Sequence, residues 1–167
     1  LLAIHEPLAF QSRLYCSLQI FGGGMLITSF VSQVGASSST ASLVAGAVLA
    51  AVGLASIVLG IRWLEGDRRV ALWCFVLWAV QVVIFALPSL SYSFSCGAII
   101  PASLEFPFDL SLGAPRLGVQ FVARLNREGP VSYVGVNLIA VVACRFFLME
   151  WRKTAERGGA PAPKTAL

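Results

Sequence analysis

Charge is scarce in this chain. Only 12% of its 167 residues are Asp, Glu, Lys or Arg, where a soluble domain carries roughly 25%. Hydrophobic residues make up 57% of the chain and the mean hydropathy is +0.82. So few charges do not suit an ordinary soluble core; they suit a chain with much of its surface in lipid. The length suits one compact unit, a single membrane domain over residues 1–167, with no second soluble domain. The net charge of +4 does not point to nucleic acid, because the basic residues flank apolar runs. There they would orient a protein against anionic lipid.

Reactive chemistry is scarce too. His5 is the only histidine, which excludes His-ligated haem or chlorophyll among the apolar runs and a Ser/His/Asp arrangement there. No G-x-S-x-G, H-E-x-x-H or P-loop pattern occurs. The four cysteines, Cys16, Cys74, Cys96 and Cys144, form no C-x-x-C and have no histidine beside them. They read as small apolar packing residues rather than metal ligands. No internal repeat of the transporter kind is visible. Leu1–Phe10 lacks a basic start, so it does not read as a cleavable signal. No catalytic residue, metal or cofactor is expected; bound lipid is compatible with the composition.

Four long apolar runs are present, at about 14–35, 41–61, 70–87 and 131–149. Each approaches the ~20 residues a helix needs to cross ~30 Å of hydrocarbon. None contains an acidic residue, and backbone in lipid must pair internally. The expected fold class is therefore an all-α membrane protein, a four-transmembrane-helix bundle. A small extracytoplasmic antiparallel β-hairpin or sheet is expected between helices three and four.

Nine of the 12 basic residues fall on one side of such a bundle: Arg13, Arg62, Arg68, Arg69, Arg145, Arg152, Lys153, Arg157 and Lys164. Arg116, Arg124 and Arg127 fall on the other. The positive-inside rule then places both termini in the cytoplasm or on the equivalent inner side, with Trp63, Trp73 and Trp151 at the inner interface. The tail, 154–167, turns Gly/Pro/Ala-rich at Gly158 and is expected to be flexible.

Several residues stand out within the runs. Gly46, Gly53 and Gly60 recur every seven residues, with Ser42 and Ser56 nearby. They make a small-residue face for packing against this chain's other helices or a partner. Gln81 and Asn137 fall at similar depth and are candidates for an interhelical hydrogen bond, worth on the order of 0.6–2 kcal/mol. Arg145 is close enough to one end to snorkel, and with Arg152 and Lys153 it makes a lipid-headgroup site.

The segment 88–130 is patterned. Ser91–Cys96, Leu104–Leu112 and the run from Val119 alternate polar and apolar residues, the mark of half-buried strands. Gly113-Ala114-Pro115 supplies a turn, and Pro107 demands an edge position or a break. Leu104, Phe106, Phe108, Leu110 and Phe121 make a candidate external partner surface. Cys96 would be alone outside, free or bridged to another chain. Glu105 and Asp109 share a strand face and read as its solvent side. The single Cys96-Gly97 is not the Cys-Cys-Gly of tetraspanins. Ala36–Thr40 is too short for the strands and W…C…C of claudins. The chain lacks the motifs of both.

The expected function is a non-catalytic accessory or structural subunit of a larger membrane protein complex. Its partners would be membrane lipids and other integral membrane subunits or copies of itself, not nucleic acid. The alternative is a small homo-oligomeric transporter or channel. An inner-face enzyme site around Arg145 and Glu150 ranks last.

Overall fold

A computed structural model describes residues 10–35, 40–87, 90–125 and 132–157. Two long helices come first, α1 (Phe10–Gly35) and α2 (Thr40–Leu64). Within them, Phe10–Ser32 and Leu43–Leu64 are long and apolar enough to cross a membrane by length and composition. A 3-10 turn at Arg68–Val70, capped by Asp67 Oδ1 accepting from Arg69 N at 3.1 Å, leads into α3 (Ala71–Ala79). Six strands follow: β1 (Val83–Ala86), β2 (Leu90–Ile99), β3 (Pro101–Glu105), β4 (Asp109–Leu112), β5 (Arg116–Leu125) and β6 (Tyr133–Asn137). The last helix is α4 (Leu138–Arg157).

The four-helix bundle expected from hydropathy is not what forms. The third and fourth apolar runs each divide. The third becomes nine residues of α3, only about 14 Å of helix, followed by β1. The fourth becomes β6 followed by α4. Hydropathy counts apolar residues and is blind to their branching. Val82-Val83-Ile84-Phe85 and Tyr133-Val134-Gly135-Val136 are rich in β-branched and aromatic residues, which lose rotamer freedom in a helix and pack well on a pleated surface. The strand segment is also larger than a hairpin with a third strand. Leu104–Leu112 is two strands, broken by a turn at Phe106–Phe108.

All six strands lie in one antiparallel sheet ordered β4-β3-β6-β1-β2-β5. Laid flat, its edges would be about 24 Å apart, five spacings of ~4.8 Å. Yet edge strands β4 and β5 are joined by Gly113, Ala114 and Pro115 alone, a link that reaches at most about 14 Å. The sheet must therefore curl, bringing its two edges towards each other at this end.

Helices and sheet share two cores. Tyr15, Cys16, Trp63, Cys74, Trp78, Ala140, Ala143 and Phe147 join the first half of α1, the end of α2, α3 and α4. The aromatic rings meet edge-on, Trp63 and Phe147 at 5.1 Å and 81°. The Trp63 indole N–H donates to Ser12 Oγ at 2.5 Å. Further along α1, Leu26 packs with Phe94 and Cys96 of β2.

Candidate functional site

Strand register sorts the sheet's residues onto two faces, since cross-strand partners share a side. One face carries Tyr92, Phe94, Cys96 and Ala98, with Phe121, Val119 and Leu117 opposite the last three, and Leu90 two residues before Tyr92. Val83, Phe85, Val134, Val136, Ala102, Leu104, Leu110 and Leu112 continue it across the other strands. Tyr92 aside, all are apolar. The opposite face carries Ser91, Ser93 and Ser95 on β2, Arg116 and Gln120 on β5, Tyr133 on β6, Ser103 and Glu105 on β3, and Asp109 and Ser111 on β4. Ile84, Ala86, Ile99 and Val122 share this second face, so apolar side chains wall the sheet on its outside while a mixture dominated by polar ones lines its hollow.

The hollow has a volume of about 200 Å³. Its lining draws on all six strands, and its polar contributors include Ser93, Ser103, Glu105, Arg116, Gln120 and Tyr133. Ser103 Oγ and Ser111 Oγ are 2.9 Å apart, and Ser111 Oγ donates to Glu105 Oε1 at 3.4 Å. Gly113 N donates to Pro101 O at 2.8 Å, holding the link between the edges against the end nearest the helices.

Outside, α1 covers only part of the apolar face. At Gly22, midway along α1, a side chain would collide with the Cys96 carbonyl carbon. At Gly97 (φ +108°) it would meet the Leu18 carbonyl oxygen. Helix and strand backbones therefore touch, which only glycine allows. Away from this seam the face is bare: Leu110 is 79% exposed, Leu117 74% and Leu112 71%.

Gln81 and Asn137 are buried where helix turns into strand, and they are not bonded to each other. Gln81 Oε1 accepts from Cys96 N at 2.7 Å while its Nε2 donates to Leu77 O at 2.9 Å. Asn137 Oδ1 accepts from Ile100 N and from Ile139 N, both at 3.2 Å. The second of these caps α4. Its Nδ2 donates to Ala98 O at 3.2 Å. Each amide extends the ladder of β2 past the end of its neighbouring strand.

Gly53 and Gly60 face α1 of the same chain: a side chain at Gly53 would lie 2.7 Å from Gly23 O, and one at Gly60 2.7 Å from Ile20 Cγ1. Gly46 is buried in α2. Ser56 is buried, and its carbonyl accepts from Gln19 Nε2 at 3.3 Å. The Ser42 side chain lies outside the described residues. Leu104, Leu110 and Phe121 belong to the apolar outer face, while Phe106 and Phe108 occupy the turn between β3 and β4, also exposed. Arg145 and Arg152 are exposed on α4. Lys153 Nζ bonds Glu150 Oε1 at 2.7 Å, and Arg68 reaches the same carboxylate at 3.6 Å. Cys96 is buried against α1, and all four cysteines are free. Among the described residues no group of three or more His, Cys, Asp or Glu is placed to hold a metal.

The hollow itself was not singled out from the sequence. The signal lay in the polar half of the alternating runs, Ser91, Ser93, Ser95 and then Glu105, Asp109, Ser111, whose apolar half had suggested a partner surface. Tyr133 carried no such signal, because its run read as helix. No protein-family model, curated protein or solved structure matches the chain.

Proposed function

We propose that this protein is a non-catalytic integral membrane subunit, anchored by the α1–α2 pair, that carries its curled sheet within the membrane and joins a larger assembly through it. One observation carries the reading: an apolar outer wall around a polar hollow, with much of the wall bare. Apolar-out, polar-in alternation is the pattern of strands in lipid, and an exposed apolar patch of this kind marks a membrane or protein contact. The seam at Gly22 supports the same depth. Because Gly22 is midway along α1, β2 shares the layer that α1 would cross.

The sheet edges give the reason for assembly. Neither β4 nor β5 has a strand on its far side among the described residues, and unpaired backbone groups cost several kcal/mol each in hydrocarbon. A neighbouring chain would cover them, as well as Leu110, Leu112 and Leu117. Extraction in mild detergent tests this. A discrete higher-mass complex, lost when Leu110 and Leu117 are changed to Ser, is the expected result. A monodisperse monomer of the unaltered chain overturns it. The polar hollow favours a second reading, a homo-oligomeric transporter. Solute flux in liposomes would distinguish the two.

A further inference from the structure

We infer that the hollow of the curled sheet binds a small zwitterion, a molecule carrying a primary ammonium and a carboxylate or phosphate. This goes beyond the assembly reading and does not rest on it, since it needs only the curl and the inward face. Glu105 comes from β3 and Arg116 from β5, near opposite edges of the sheet, and both line the same hollow. They do not pair with each other: among the described residues the ion pairs are Arg68–Glu150 and Lys153–Glu150. Among the residues that line the hollow, curling has thus set one carboxylate and one guanidinium on the walls of one concavity, too far apart to form an ion pair. A molecule bearing both charges satisfies both walls, whereas a singly charged one leaves a wall unmatched.

The remaining lining fits this ligand. Glu105 Oε1 already accepts from Ser111 Oγ, which steadies the carboxylate and leaves it acceptor capacity for an ammonium. The Arg116 fork suits a carboxylate or phosphate, which it can hold through two parallel bonds. Ser93, Ser103, Gln120 and Tyr133 supply neutral donors and acceptors between the two charges. A volume of about 200 Å³ is below the ~300–1,000 Å³ of drug-sized sites, which limits the occupant to something the size of a small amino acid or a phosphoethanolamine group. The second could arrive free or as the headgroup of a lipid.

The test uses the full chain, purified in detergent and in phosphatidylcholine nanodiscs, with glycine, serine and free phosphoethanolamine as soluble probes. Phosphatidylethanolamine added to the nanodiscs is the lipid probe. Binding is read by calorimetry and by native mass spectrometry. At least one probe is expected to bind, with loss of about tenfold or more in each of Glu105→Gln and Arg116→Gln, the size of one charge-assisted bond. Ethylamine and acetate should bind more weakly than the zwitterion. Saturation by free probes marks a soluble ligand; retention of phosphatidylethanolamine alone marks a headgroup. Both variants should keep the circular dichroism of the parent, so a loss of binding is not a loss of fold. Absence of binding by every zwitterion at millimolar concentration overturns the inference. So does undiminished binding in the folded Glu105→Gln/Arg116→Gln double variant.

Discussion

Three consecutive glycines in α1 have three different surroundings, and the difference is measurable. Gly22 abuts the backbone of β2 and Gly23 abuts the carbonyl of Gly53, but nothing lies within 4 Å of the position a side chain would take at Gly24. Gly24→Ala should therefore raise stability by roughly 0.5–1 kcal/mol, through helix propensity alone. Gly22→Ala should lower it by about 1–3 kcal/mol, the cost of forcing atoms into packed space. Thermal unfolding in one detergent compares them directly, and equal effects would remove the seam between α1 and β2. Asn137 makes the other sharp residue-level case. Asn137→Leu leaves Ile100 N, Ile139 N and Ala98 O without their side-chain partner. Each buried group stranded in this way costs about 1–3 kcal/mol. The loss should exceed that of Gln81→Leu, which strands Cys96 N, as measured by the same melts.

At the scale of elements, apolar runs of similar length met two fates. Those at 14–35 and 41–61 form helices, while those at 70–87 and 131–149 are each part helix and part strand. A direct check is cross-strand bridging between Phe85 and Val134, which are register partners of β1 and β6. In a background without the native cysteines, Phe85→Cys with Val134→Cys should oxidise to a disulfide, since directly opposed strand residues have Cβ atoms ~4.5–5.5 Å apart and bridging needs only a modest approach. Phe85→Cys with Val136→Cys, one pair out of register, should bridge poorly. The reverse order would reject the ladder. The alternation of Ser91–Cys96 and of Leu104–Leu112 was legible because period two survives in a sheet with one polar face. The strand character of 83–86 and 133–137 was not, because these strands abut apolar helices and so lengthen their hydropathic runs.

For the molecule as a whole, the decisive property is the sorting of polar and apolar side chains by the curl. A nitroxide placed at Leu110 in the reconstituted protein should be relaxed by oxygen dissolved in lipid or be sheltered by a neighbouring chain. One at Ser103 should respond to a water-soluble relaxation agent. Free water access at Leu110 would contradict cover of the outer wall. The sequence by itself determined that this chain is unusually apolar, that its first two runs are helices with glycine contact faces, and that its middle third holds alternating strands. Those are local properties, written in period and composition. Only the tertiary structure decided that strands also form from parts of the last two runs and that Gln81 and Asn137 serve β2 rather than each other. It also brought Glu105 and Arg116 to one hollow. These depend on pairing between residues far apart in the chain and on a three-residue link that forces a sheet to bend, neither of which leaves a local pattern.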